Sequence, residues 1–192
     1  MMEARMIDNV YIECITKDAI ENRKIWLNES VNEESMTKVI YFLEKLKRRD
    51  IVRGVKEPIT IVVNSPGGLC YQGFMLISHI ENMVKEGWEI ITLTGGMSAS
   101  MSFLIGLVGS KRKAYKYSSF LCHQPSCGVW GEAIKIKRES KELDRLWDLS
   151  KKIIKKHSKM STNLLNKIYN QSEDYIISSD KALELGIIDE II

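Results

Sequence analysis

Two apolar runs that end on paired glycines limit most strongly how this chain can fold. Ile59–Val63 is a continuous β-branched run that stops at Asn64-Ser65-Pro66-Gly67-Gly68, and Glu89–Thr94 stops at Gly95-Gly96. An uninterrupted β-branched run is the pattern of a strand buried on both faces. Helical periodicity follows each junction. Phe74, Ile77, Ile80 and Val84 share one face after the first, with Gly87 as the stop, and Met101–Val108 forms a short apolar helix after the second. Gly95-Gly96 reads as the turn between its strand and helix.

The rest of the chain continues the alternation. Lys24–Leu27 reads as a strand, and Asn32 precedes a helix carrying Met36, Val39, Ile40, Leu43 and Leu46 that ends in the charged stretch Lys47–Asp50. Tyr115–Tyr117 and Phe120–His123 read as two strands. Glu132 to about His157 reads as a long charged helix with Ile136, Leu143, Trp147 and Ile154 on one face. Ser161 or Thr162 caps a further helix, and Ile187–Ile191 is a closing strand. Strands alternating with helices predict an α/β fold with parallel pairing and right-handed crossovers. No linker divides the 192 residues, so residues 1–192 are expected to form one domain.

Composition removes several classes of function. A net charge of +3 is too small for a phosphate-coating surface, so no nucleic-acid partner is expected. The longest apolar run, Phe103–Val108, is far short of the roughly 20 residues of a membrane span, and Met1–Asp8 has no signal-peptide core. A cytoplasmic protein without a membrane partner is expected. Cys14, Cys70, Cys122 and Cys127 give no zinc-like spacing, so no metal site is expected and the thiols are expected to be reduced.

Both glycine junctions fall at the carboxyl ends of strands, where α/β sheets bind ligands. Glycine lets backbone N–H groups approach a negatively charged oxygen closely. Neither junction spells a phosphate-binding loop. The second, Thr94-Gly95-Gly96-Met97-Ser98-Ala99-Ser100-Met101, places Ser98 and Ser100 at a strand-to-helix turn, where a hydroxyl can be held exposed as a nucleophile. Such a serine needs an imidazole and a carboxylate. Three histidines are available. His79 lies within an amphipathic helix and reads as a partly exposed surface residue. His157 ends a lysine-rich helix, where a cation complements the helix dipole. His123 ends a strand before Gln124-Pro125; by itself it fits a buried structural histidine better than a catalytic one.

Asn64-Ser65-Pro66-Gly67-Gly68, Met97-Ser98-Ala99-Ser100-Met101, His123-Gln124-Pro125 and Glu173-Asp174-Tyr175-Ile176-Ile177-Ser178, with the tail Gly186-Ile187-Ile188-Asp189, occur in one order. They resemble the sequence blocks of the Clp protease proteolytic subunit, ClpP, over about Asn22 to Ile192. The resemblance implies an α/β ClpP/crotonase-like fold of repeated β-β-α units with a long protruding handle helix at about 132–158. It implies a serine endopeptidase with Ser100 as nucleophile, His123 as general base and acid, and Asp174 as the orienting carboxylate. Gly68 and Met101 would give the backbone N–H groups of the oxyanion hole, with Ser98 as the competing nucleophile. No cofactor is implied beyond the ATP of a partner ATPase. Implied partners are further copies of the chain in a heptameric ring or a double ring of fourteen, an AAA+ unfoldase, and unfolded polypeptide. Gly128-Val129-Trp130-Gly131-Glu132-Ala133 resembles the strand that lines the substrate channel.

Three features depart from that pattern. Thr60, Val62 and Lys113 stand where the family builds an unfoldase-docking pocket partly from aromatic side chains. Glu173 stands in place of a usual arginine, and Lys47–Lys56 is longer and more basic than usual. They resemble a phage or accessory copy. The alternatives are a phage-type head-maturation protease acting without an ATPase, a crotonase-type enolate-stabilising enzyme, and a non-catalytic ring subunit.

Overall fold

The computed structural model describes residues 13–172 and 174–192. Met1–Asp8 and Glu173, both singled out in the sequence, lie outside the described residues. The described chain begins with a helix, α1 (residues 13–21), followed by β1 (Lys24–Leu27) and α2 (Glu33–Arg53). Next come β2 (Ile59–Ser65), α3 (Cys70–Lys85), β3 (Ile90–Ala99) and α4 (Met101–Leu107). The second half holds β4 (Lys111–Ala114), β5 (Ser119–Cys122), α5 (Ala133–His157), α6 (Thr162–Asn170), β6 (Tyr175–Ser178), α7 (Ser179–Glu184) and β7 (Glu190–Ile191).

β1-β2-β3-β4-β7 form a parallel sheet. Ile59, Ile61 and Val63 on one face of β2 are buried in the same core cluster as Leu43 and Leu46 of α2 and Leu76 and Ile80 of α3, and Val62 on the other face is buried as well. Asn32 caps α2 through a reciprocal pair of hydrogen bonds with Ser35. No helix among the described residues is long and apolar enough to cross a membrane.

Several readings of the sequence are corrected. Gly95-Gly96 is not a turn, because β3 continues through it. Val63 pairs with Thr94 but Ser65 pairs with Ser98, so β3 takes up two extra residues beside β2 and bends there. A side chain at Gly96 would collide with Asn64 Oδ1, which explains the small residue. The bend gives β3 two successive neighbours on one edge, β4 along Ile91–Thr94 and β5 along Met97–Ala99.

The strand placed at Tyr115–Tyr117 lies at Lys111–Ala114, and the tyrosines form the following turn. Its lysines are held by acids on neighbouring strand ends, Lys111 by Glu89 and Lys113 by Glu190. The closing strand is only Glu190–Ile191. β6 pairs antiparallel with β5, so the sheet is not wholly parallel.

Ile136 does not join the buried stripe of α5. Trp147 and Ile154 are buried, but residues 133–141 are exposed throughout, so the first third of α5 projects as a handle. Ser161, rather than Thr162, caps α6.

α2 also continues past Asp50 to Arg53, and Gly54 in a left-handed conformation ends it. The charged stretch contains a buried clamp. Asp50 is fully buried and accepts from both guanidinium nitrogens of Arg23 at 3.1 and 2.7 Å, and from Glu57 N–H at 3.1 Å. Arg23 also donates to the carbonyls of Glu57 and Pro58, tying the end of α2 to the starts of β1 and β2. Breaking a buried pair typically costs about 3–5 kcal/mol, and Arg23 keeps a second acid in Glu57 at 3.5 Å, which puts the loss at the lower end of that range. Asp50→Ala is therefore expected to lower the unfolding free energy by about that much in urea titration. A loss below about 1 kcal/mol would contradict the clamp.

Candidate active site

The site is assembled where three strand ends meet. β3 ends at Ala99, which pairs with Leu121 of β5, and Ser100 N–H donates to Leu121 O at 2.9 Å. Ser100 then turns the chain into α4 with φ 55° and ψ −122°, a conformation that L residues rarely adopt. Such a residue costs about 1–3 kcal/mol and persists only where its surroundings hold it. Below it, the Ser102 hydroxyl donates to Ser65 O at 2.7 Å and accepts from Ala99 N–H at 2.8 Å. The backbone is thus gripped from both sides of the turn.

β5 ends at Cys122 and β6 begins at Tyr175, and these two residues are paired. One step further in the same antiparallel register sets His123 opposite Asp174. His123 Nδ1 lies 3.0 Å from Asp174 Oδ1. With the proton on Nδ1, that carboxylate holds the ring and leaves Nε2 as the basic nitrogen. Ser100 and His123 line one small pocket, and no hydrogen bond joins their side chains among the described residues. The His123 side chain is 30% exposed and that of Asp174 is 66% exposed.

The first glycine junction lies directly against the Ser100 turn. Gly67 has φ 91°, and a Cβ there would sit 2.5 Å from Ala99 O, 2.7 Å from Ser100 Cβ and 2.9 Å from Met101 N. Val31 fixes the next residue from the other side. Its N–H donates to Gly67 O and its carbonyl accepts from Leu69 N–H, both at 2.8 Å. A side chain at Gly68 would overlap the Val31 carbonyl. Among the described residues, the N–H groups of Gly68 and Met101 make no hydrogen bond within the chain. They remain free to receive a negatively charged oxygen.

The other candidates have structural work. Ser98 is fully buried and its hydroxyl donates to Ser102 O at 3.0 Å, out of reach of a substrate. His79 packs between helices with Nε2 3.2 Å from a Glu44 oxygen, and burial lowers its pKa. His157 Nε2 lies 3.0 Å from Glu81, at the carboxyl end of α5. Burial raises the Cys70 thiol and pushes Cys122 up to about 12, so neither thiol beside the pocket ionises readily. All four cysteines are free, and no group of acids, histidines and cysteines among the described residues is arranged to hold a metal.

Sequence reasoning missed the floor of the pocket. Trp147 and Ser150, one turn apart on α5, line it together with Ser100 and His123. Their i, i+3 spacing on the buried face of α5 was the available signal. Elsewhere, Val62 of β2 is buried in a row across the sheet that runs Trp26, Val62, Leu93, Lys113, Glu190. Lys113 is paired there with Glu190 at 2.7 Å, so this face carries an ion pair at one end of the row and the half-exposed Trp26 at the other.

The chain as a whole is similar to proteins of one known family. The model of the Clp protease family matches residues 8–192. An ATP-dependent Clp protease proteolytic subunit of Dehalococcoides mccartyi is 27% identical over 175 residues, covering 90% of this chain and 83% of its own. An ATP-dependent Clp protease proteolytic subunit 1 of Bacillus cereus is 29% identical over 176 residues, covering 90% and 86%.

The contact of Gly67 with the Ser100 turn gives a direct test. Gly67→Ala is expected to slow fluorophosphonate labelling at least about tenfold, because the methyl group displaces the turn. Labelling at the wild-type rate in a folded variant would show that the close approach is not needed.

Proposed function

This chain belongs to the Clp protease family, and from that premise we propose that it is a serine endopeptidase acting through Ser100, His123 and Asp174. The observation that carries the reading is the His123–Asp174 contact of 3.0 Å at two strand ends beside the strained Ser100 turn. Ser100 Oγ attacks the carbonyl carbon of the scissile peptide and gives its proton to His123 Nε2. Asp174 accepts from Nδ1–H, fixing the tautomer and stabilising the imidazolium. The tetrahedral oxyanion is received by the N–H groups of Gly68 and Met101, each typically worth about 3 kcal/mol of transition-state stabilisation. The imidazolium then protonates the leaving amine, and a water activated by the same nitrogen releases the acyl group. These groups supply nucleophile, base and oxyanion donors, so the reading includes no cofactor.

In this reading, the substrate is unfolded polypeptide and the working form is a ring of copies of the chain, heptameric or doubled. The exposed handle and the exposed Asp174 carboxylate support assembly. A carboxylate open to water holds an imidazole weakly, and a covering neighbour would strengthen the contact. The relatives' names carry the words ATP-dependent, which supports a partner AAA+ ATPase that spends ATP to deliver substrate. The Lys113–Glu190 pair means that such a partner meets a charged surface here.

Cleavage of a chemically unfolded protein by the purified oligomer tests the reading. Wild type is expected to cleave it and Ser100→Ala to lose all turnover above background. Asp174→Asn is expected to drop kcat by up to about 10⁴ with little change in assembly, because the imidazole loses its orienting charge. Undiminished turnover in Ser100→Ala would overturn the assignment.

A further inference from the structure

The β5–β6 ladder ends at the Cys122–Tyr175 pair, so His123 and Asp174 both lie just beyond its last rung. After Cys122 the chain forms no helix or strand until α5 begins at Ala133. The Asp174 carboxylate is 66% exposed, and an ion pair open to water holds its geometry weakly. A second contact lies on the other side of the pair. The Gln124 side-chain amide donates to Ser172 Oγ at 2.7 Å. It joins the residue after His123 to the residue two before Asp174. The His123–Asp174 contact is therefore bracketed, by the backbone ladder on one side and by a side-chain rung on the other.

The backbone at Ser172 shows that this rung is built at a cost. α6 ends at Asn170 with Gln171 as its cap, and Ser172 follows with φ 49°. Its N–H donates to Tyr169 O at 3.3 Å, closing the end of the helix. Helices usually place glycine at this position, because an L side chain is strained there. A serine gives up that freedom and supplies a hydroxyl, and the oxygen of that hydroxyl accepts the Gln124 amide.

We propose that Gln124 and Ser172 are positioning residues, which act through Asp174 by holding its loop so that the carboxylate stays against His123 Nδ1. Neither touches the reacting atoms. Without the rung, the loop between α6 and β6 is fixed only at its two ends, and the imidazole is oriented for a smaller fraction of the time. The role rests on the serine-peptidase reading and adds the means by which an exposed His–Asp contact is kept in register.

Ser172→Gly separates positioning from stability. The variant is measured as the assembled oligomer, by fluorophosphonate labelling rate, by kcat and KM on a peptide–coumarin substrate, and by urea titration. It is expected to label and turn over roughly threefold to tenfold more slowly than wild type, the range of one lost hydrogen bond. KM is expected to stay unchanged, and the urea midpoint to equal or exceed that of wild type, because glycine suits the left-handed backbone. Gln124→Ala is expected to slow labelling by a similar factor in the wild-type background. In an Asp174→Ala background it is expected to slow labelling no further, since the carboxylate through which it acts is gone. If Gln124→Ala does not assemble, Ser172→Gly alone is decisive. An assembled Ser172→Gly labelled at the wild-type rate would overturn this inference alone. So would a Gln124→Ala loss of the same size with and without Asp174. Wild type that is not labelled, or Asp174→Ala labelled as fast as wild type, would overturn the proposed triad and this inference with it.

Discussion

The site depends on one arrangement of backbone hydrogen bonds, the passage of β3 from one neighbour to another. Along Ile91–Thr94 it pairs with β4, and beyond the glycine pair it pairs with β5. That second pairing brings β5 against the Ser100 turn, and β5 in turn holds β6 antiparallel. Ser100, His123 and Asp174 are each the residue just outside a strand. A slip of one residue in the β5–β6 register would turn the interacting side chains to opposite faces of the sheet. The chemistry proposed for them therefore depends on a ladder of ordinary amide bonds.

The Ser100 turn illustrates how such a position is held. Its conformation is unfavourable in isolation, and the surroundings offset that cost in three ways. Leu121 O accepts its N–H, the Ser102 hydroxyl bridges Ala99 to Ser65, and Gly67 leaves no Cβ to push it away. Ser65 and Ser102 are buried polar residues that look unremarkable in the sequence, yet their hydrogen bonds join the two glycine junctions. The strain and the underlying network are one feature, because the network selects a backbone shape that the chain would otherwise avoid.

Much of this was legible in the sequence because local chemistry forces it. A β-branched run ended by Pro-Gly-Gly announces a buried strand and a close backbone approach. Asn32 ahead of the apolar run from Met36 to Leu46 announces the start of a helix. What could not be read depends on partners distant in the chain. Gly95-Gly96 permits a turn or a bend equally well, and only the pairing with β5 decides for the bend. Lys111–Ala114 looks like a charged loop until Glu89 and Glu190 arrive beside it, while Tyr115 and Tyr117 offer a misleading β-propensity. Asp50 is hidden in a run of basic residues, although it is the one carboxylate there that is fully buried. Asp174 has no local signature, since it is selected by its register opposite His123; before the fold, only the resemblance pointed to it.

The handle joins assembly to chemistry in this account. Its first third stands in solvent, while Trp147 and Ser150 further along form the floor beside Ser100. A partner covering the exposed part would bear on the same helix that shapes the site. The central claim remains that Ser100 is the reacting group. Tandem mass spectrometry of the fluorophosphonate-treated oligomer tests it most directly. The account predicts a single adduct carried by Ser100; an adduct on Ser98 or another residue, or none on a folded oligomer, would contradict it.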